Sequence, residues 1–225
     1  MTGSHLISDF ARRIDRKRIG QCPFVVVANN CWGGEVYRYL GAAYNSPFIG
    51  LFMYPRCFWD AVEDLVSFVQ KPLTFACASR YSSAPCEYPI GLIGTSEIHF
   101  MHYASQAEAA GKWHRRAARM AQHLQNGAQV CLKSCERDGA TSSDLDRFHA
   151  LAAQRRVSFG TSLYPRREHI RLLPHDAPDG KVPDGSRLFP VSLRYFDLVE
   201  WLKTGRIHQT FTQRMLAFWR QAASL

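Results

Sequence analysis

One stretch constrains this chain more than any other: Phe24-Val25-Val26-Val27-Ala28-Asn29-Asn30-Cys31-Trp32-Gly33-Gly34-Glu35-Val36-Tyr37. An apolar, β-branched run stops at two asparagines, a cysteine follows, then a glycine pair, then a helix-like pattern. That order describes a buried strand that turns sharply and feeds a helix. A thiol at such a junction is expected beside unpaired backbone N–H groups and the positive end of a helix dipole, both of which favour thiolate.

The rest of the chain extends this beginning. Leu6 to Arg18 reads as a short basic helix, Pro23 to Ala28 as the first strand and Gly34 to Tyr39 as a helix. Ser46 to Met53 is apolar, with a proline at its edge, and fits a buried strand or a loop. Phe58, Val62, Leu65, Val66 and Val69 recur at helical spacing and predict one helix that stops before Pro72. Leu73 to Ala78 reads as a second buried strand. Tyr88 to Ile93 and Glu97 to Tyr103 read as a hairpin around Gly94-Thr95-Ser96. A long amphipathic helix over Ser105 to Gln125 and a buried strand over Ala128 to Ser134 follow. Thr141 or Ser142 caps a helix through Ala153, and Val157 to Leu163 is a strand. Pro174 to Gly185 suits an exposed loop and Leu188 to Leu193 a last strand. Helices are expected over Tyr195 to Leu202 and Thr210 to Ala223. Strands alternating with helices predict a three-layer, Rossmann-like α/β domain with a mixed, mostly parallel sheet, the hairpin supplying the antiparallel part.

With 225 residues, 46% of them hydrophobic, the chain can bury a substantial core. One domain over 1–225 is expected, with a basic helix over 1–20 and a helical extension over 204–225. No window holds the roughly 18 apolar residues of a membrane span, and Met1 to Gln21 lacks an apolar signal core. A cytoplasmic protein is expected. The seven cysteines have no disulfide-like regularity and no Cys-x-x-Cys pair, so reduced thiols follow. The net charge of +9 is scattered, with clusters at Arg12–Arg18, Arg115-Arg116 with Arg119, Arg155-Arg156 and Arg166-Arg167. Without a recognition-helix or single-strand-binding signature, it argues against nucleic acid as partner. A phosphorylated small molecule, an anionic glycan, a peripheral membrane contact or plain solvation would use it equally.

Four places can carry chemistry. Cys31 lies just past the carboxyl end of the first strand, where ligands gather in open α/β sheets. Asn29 and Asn30 can donate to a developing oxyanion, and Gly33 and Gly34 let a ligand approach backbone N–H groups. An inert thiol in a strained turn explains the same residues. Glu97 and His99 share a strand face with Met101, whereas His102 points the other way; the carboxylate could orient His99 as general base. Glu136 and Asp138 follow a buried strand, as a metal-nucleotide pair or as turn residues. Arg115 and Arg116 could clamp phosphate or carboxylate from the long helix. No Gly-x-Gly-x-x-Gly, Walker loop or Gly-x-Ser-x-Gly elbow is present, which disfavours dinucleotide oxidoreductases, P-loop NTPases and α/β-hydrolases.

Taken together, Asn29-Asn30-Cys31-Trp32-Gly33-Gly34-Glu35-Val36-Tyr37-Arg38, Tyr44-Asn45-Ser46-Pro47-Phe48-Ile49-Gly50-Leu51-Phe52, Tyr88-Pro89-Ile90-Gly91-Leu92, Glu97 to Tyr103, Lys112-Trp113 with Arg115-Arg116, Arg137-Asp138-Gly139 and Tyr195-Phe196-Asp197 with Trp201-Leu202 resemble a bacterial family usually labelled exopolysaccharide biosynthesis protein, a domain of unknown function. The family pattern favours Asn where this chain has His114, and Asp where it has Glu136. The resemblance implies a role in making surface polysaccharide. It also adds Asn45 and Ser46 to the expected substrate- or phosphate-binding set. A capsule acetyltransferase family has an Asn-Cys pair after its first strand and is associated with coenzyme A, a local parallel. The expectation is a transferase acting on a sugar or polysaccharide precursor, with acyl transfer favoured. Cys31 would be nucleophile, His99 base and Glu97 orienter; Asn29, Asn30, Gly33, Gly34, Asn45, Ser46, Arg115, Arg116 and Asp138 would bind substrate or phosphate, without a metal. A nucleotide-sugar glycosyltransferase and a non-catalytic assembly protein are the alternatives.

Overall fold

The computed structural model describes residues 3–208, with side chains from residue 9 onward. The expected helix over Thr210 to Ala223 lies outside the described residues. The protein is of the α/β class, built on a parallel four-stranded sheet. Its strands are β1 (Phe24–Ala28), β5 (Gln129–Cys135), β6 (Arg155–Gly160) and β7 (His169–Arg171), in the order β1-β5-β6-β7. The hairpin strands β3 (Ile90–Ile93) and β4 (Ser96–His99) join β2 (Thr74–Ala76) in a separate antiparallel sheet, ordered β2-β3-β4, rather than completing a mixed one.

The uniform hydrophobicity of β1 follows from its place between two cores. Val26 and Ala28 pack on one side with Trp32, Val36 and Leu40 from α2 (Trp32–Leu40), and with Leu188 of α7 (Gly185–Ser192) and Trp201 of α8 (Leu198–Thr204). Val25 and Val27 pack on the other with Phe58 of α3 (Pro55–Glu63), Phe68 of α4 (Leu65–Gln70), Trp113 of α5 (Gln106–Gln125) and Phe148 of α6 (Ser142–Ala150). Each fully buried valine contributes about 1.5–3 kcal/mol, so a one-residue slip of β1 would exchange two cores at once. The basic helix α1 (Gly3–Ile19) packs outside α2 and α8, where Arg18 pairs with the buried carboxylate of Asp197.

Several boundaries differ from expectation. The helix predicted over 58–69 breaks at Asp64, which leaves helical geometry (φ −136°) and caps α4. Ser46 to Met53 is an irregular crossing segment. Phe52 exchanges backbone hydrogen bonds with His99 of β4, and the Met53 N–H donates to the Asn29 carbonyl at the end of β1 (2.9 Å). This segment thereby ties the two sheets together. The strand expected at 73–78 is a short, half-exposed edge. The apolar run Leu188 to Leu193 is helical, because the Asp184 carboxylate accepts the Ser186 and Arg187 N–H groups and starts α7. Short 3-10 turns occupy part of the expected loop at 174–185, and β7 was not anticipated.

Candidate functional site

Cys31 stands at the mouth of a two-part cleft beyond the carboxyl ends of β1 and β5. One cavity, of about 440 Å³, runs from Cys31 past Glu35, Arg38, Lys112 and Arg116. A second, of about 360 Å³, runs from Cys31 past Phe52, Met101, Arg137, Asp138 and Asp184. Cys31, His102 and Ser186 line both. Both volumes lie in the range of small-molecule sites.

The turn that presents Cys31 is held from below by a cation. Lys133, on β5 and fully buried, donates to Asn29 Oδ1 (3.1 Å) and Asn30 Oδ1 (3.0 Å). Both asparagine amides donate in turn to the Cys135 sulfur, at 3.5 and 3.4 Å. Asn30 Oδ1 also accepts the N–H of Trp32 (3.3 Å), the residue that opens α2 after its N-cap Cys31. Gly185 presses on this turn so closely that a Cβ there would lie 2.4 Å from the Trp32 nitrogen and 2.6 Å from Asn30 Oδ1. Burial pulls the Lys133 ammonium below its ordinary range, with the nearby Cys135 opposing that shift.

The expected activation of Cys31 is corrected by its surroundings. Burial, then the Asp184 and Glu35 carboxylates, push the thiol up from its usual pKa, against the pull of Lys133. A resting thiol therefore predominates at neutral pH, and chemistry at this sulfur needs a base beside it. Its sulfur makes a long contact, 3.9 Å, to the Leu51 carbonyl oxygen.

Glu97 and His99 are brought together, but not to Cys31. Both are buried, and Glu97 Oε2 lies 3.3 Å from His99 Nε2 without hydrogen-bond alignment. Glu97 instead accepts the Ser79 hydroxyl (2.7 Å) and the Arg80 N–H (2.9 Å). The Phe52 ring stacks on His99 at 4.4 Å and itself lines the Cys31 cavity, so His99 sits behind Phe52. Burial holds the His99 imidazole below its ordinary pKa, with Glu97 opposing. No hydrogen bond joins it to Cys31 among the described residues. His102, rather than His99, shares the cleft lining with Cys31. The strand ends at His99, so alternation no longer governs the turn after it. The His102 N–H donates to the Gly50 carbonyl (3.2 Å), and the exposed residue lines both parts of the cleft.

The other candidates divide. Asn30, Gly34, Arg116 and Asp138 line the cleft. The Gly34 N–H is already used, donating to the Cys31 carbonyl (3.0 Å), and Gly33 serves close packing, a Cβ there meeting Ala28 at 3.1 Å. Asn29 belongs to the Lys133 network beneath. Asn45 is a buried strut, accepting the Tyr37 hydroxyl and donating to the Phe24 carbonyl (2.8 Å), and the buried Ser46 accepts the Phe48 N–H (3.3 Å). Arg115 is exposed, outside both cavities. Arg116 donates to the Tyr103 hydroxyl (2.6 Å). Glu136 turns away from Asp138 and accepts the Thr161 N–H (2.9 Å), so the two acids do not form a pair. Among the described residues no cluster of three or more His, Cys, Asp or Glu is arranged to hold a metal. Lys133, Asp184 and His102 were missed as site residues; a lysine inside an otherwise apolar strand was the available signal for the first.

No helix among the described residues is long and apolar enough to cross a membrane. A protein of Haemophilus influenzae, described as an uncharacterized protein, is 31% identical over 156 residues, covering 69% of this chain and 70% of that protein. The model of the family described as Domain of unknown function (DUF1919) matches residues 2–203, and the chain belongs to that family.

Proposed function

We propose that this chain is a transferase that modifies a sugar or polysaccharide precursor, moving an acyl group from a phosphate-bearing thioester such as an acyl-coenzyme A. The observation that carries this reading is the place of Cys31 where a cation-walled cavity meets a carboxylate-walled one. Transfer between two substrates needs such a junction, with the donor on one side, the acceptor on the other and the reacting carbonyl between. Arg38, Lys112 and Arg116 would pair with donor phosphates. Arg38 now pairs with Glu35 (2.8 Å) and Lys112 with Glu108 (2.6 Å), solvent-facing ion pairs whose cations a phosphate would have to win over. The resemblance to exopolysaccharide biosynthesis proteins supports a saccharide acceptor. Seven free cysteines fit a reducing, cytoplasmic compartment.

In the proposed sequence, His102 takes the Cys31 thiol proton as the sulfur attacks the donor carbonyl. The donor's carbon–sulfur bond breaks, and the proton passes to the departing thiolate. An acceptor hydroxyl then attacks the Cys31 thioester, its proton moving by way of His102 to the released sulfur. The N-terminus of α2 favours the transient negative charge.

The test supplies the purified protein with a panel of acyl-coenzyme A donors and saccharide acceptors. Expected are acceptor-dependent release of free coenzyme A and an acyl adduct on Cys31 by intact mass, both absent in Cys31→Ala. Full transfer by Cys31→Ala would remove the nucleophile. Consumption of nucleotide sugars instead would replace acyl transfer by glycosyl transfer, and inertness towards both donor classes would favour an assembly role.

A further inference from the structure

We infer that the carboxylate-walled cavity is the acceptor subsite, shaped for one uncharged pyranose ring laid on Phe52. The inference rests on the transferase reading for the purpose of the subsite, and on its own observations for the ligand. Phe52 gives one face to His99 (4.4 Å, interplanar angle 26°), and the rest of its ring lines the cavity. It is half-buried and held at both ends of its backbone by the bridge to His99, so its orientation is fixed before a ligand arrives. Tyr54 meets it edge-on at 5.4 Å and is itself stacked under Tyr81 at 4.3 Å, which stiffens the shelf from behind. Met101, 44% exposed, continues the apolar floor.

Around this floor stand acceptors. The Asp138 side chain is 28% exposed and held in the left-handed region (φ 59°). Arg137 Nε forms a long ion pair with it (3.7 Å), while Arg137 Nη1 donates to the Val182 carbonyl (2.8 Å). Asp184 lines the same wall, one carboxylate oxygen capping α7 and the other 3.4 Å from the Arg187 guanidinium, with its remaining lone pairs left to accept. A pyranose has this polarity pattern: a face of polarised C–H groups that packs on a π surface, and a girdle of hydroxyls that donate to carboxylates. A planar base would satisfy the floor but supplies fewer donors for two carboxylates. Arg137 lines this cavity too, but it is committed to Asp138 and to the Val182 carbonyl, so a uronate or phosphosugar meets carboxylates without an unpaired guanidinium to receive it, a cost that selects against it. The arrangement therefore assigns the two wings different charges of substrate: an anionic donor by Arg38 and Arg116, a neutral sugar by Phe52 and Asp138.

The test is saturation-transfer NMR on the full chain with methyl glucoside, methyl galactoside, methyl N-acetylglucosaminide and glucuronate, without any acyl donor. Expected is transfer to ring C–H protons of at least one neutral glycoside, with none to glucuronate. Phe52→Ala should weaken that binding about tenfold, and Asp138→Asn should weaken it too while leaving C–H contact. Arg115→Ala, outside both cavities, should leave it unchanged, and circular dichroism checks that each variant is folded. Absence of transfer to every neutral glycoside, or binding that survives Phe52→Ala combined with Asp138→Asn, would overturn the subsite. Glycoside binding in a protein that consumes no acyl donor would keep the subsite and remove the acyl-transfer reading; donor turnover without glycoside binding would do the reverse.

Discussion

The Cys31 cleft and the Glu97–His99 pair lie on opposite sides of the Phe52 ring, yet they spend their polar groups differently. Around Glu97 the acceptors are used up: Ser79, the Arg80 amide and the edge of His99 surround a carboxylate sealed from solvent. Around Cys31 the polar residues His102, Asp138 and Arg116 line open volume: the Asp138 side chain stays partly exposed beside Arg137, and Arg116 donates from the wall to the Tyr103 hydroxyl. An acid beside a histidine is thus a structural latch on one side of the ring, and a histidine without an acid is the reactive candidate on the other. Alternation along a strand tells which residues share a face; it does not tell which face meets water.

That contrast can be broken by exchanging the two histidines in an experiment. His102→Ala should lower transfer by about a hundredfold or more while leaving thermal unfolding unchanged. His99→Phe, which keeps a ring against Phe52, should retain transfer. The reverse pattern, read from donor release and from melting curves, would return His99 to the chemistry.

A smaller effect is expected at the latch itself. Glu97→Ala leaves the Ser79 hydroxyl and the Arg80 amide without their acceptor and should cost about 3 kcal/mol in urea unfolding. Loss well below 1 kcal/mol would mean that this pair is not what holds the 79–81 loop.

Acid gives a comparable stability effect from a third place, independent of the cleft. His149 Nε2 contacts the Ser158 hydroxyl at 2.9 Å, that hydroxyl contacts His169 Nδ1 at 2.9 Å, and His149 is 4% exposed. Burial first, then Arg156, push its pKa down to about 4 from an ordinary 6.5. The unfolded chain therefore binds the extra proton between those values. The stability His149 contributes is complete above 6.5 and falls as pH drops toward 4, by about 3 kcal/mol. Urea midpoints across pH 4 to 7 should show this slope in Cys31→Ala as in the parent chain, and a flatter one in His149→Gln.

The smallest effect sharpens the account of the thiol. Lys133 is the cation opposing the upward push of Asp184 and Glu35 on Cys31. Removing it in Lys133→Met should slow alkylation of Cys31 severalfold at pH 8, and Asp184→Asn should speed it. Equal rates in both variants would show that burial alone sets the thiol.

Much of this was legible in the residues. The β-branched run of β1, the Ser105 cap of α5 and the Thr141–Asp144 capping box of α6 are local signals, and the elements stand where those signals put them. The run 188–193 misled because an apolar hexapeptide suits strand and buried helix equally, and the deciding Asp184 lay outside it. Of the cleft lining, Cys31, Asp138 and Arg116 were legible, because they follow strand ends or a helix face. It was not legible at His102, Asp184 or Lys133, because their meeting depends on a crossing segment, a loop and a strand distant in sequence.

In the proposed function a donor's anionic end lies along Arg38, Lys112 and Arg116 with its reactive group at Cys31. Alkylation of the native protein at pH 8.5, mapped by mass spectrometry with and without coenzyme A, tests that placement most directly. Cys31 should be protected by coenzyme A in a salt-sensitive way, while the exposed Cys77 reacts at the same rate in both samples. Cys31 labelled equally fast with and without coenzyme A and other anionic donors would rule out this placement of the donor.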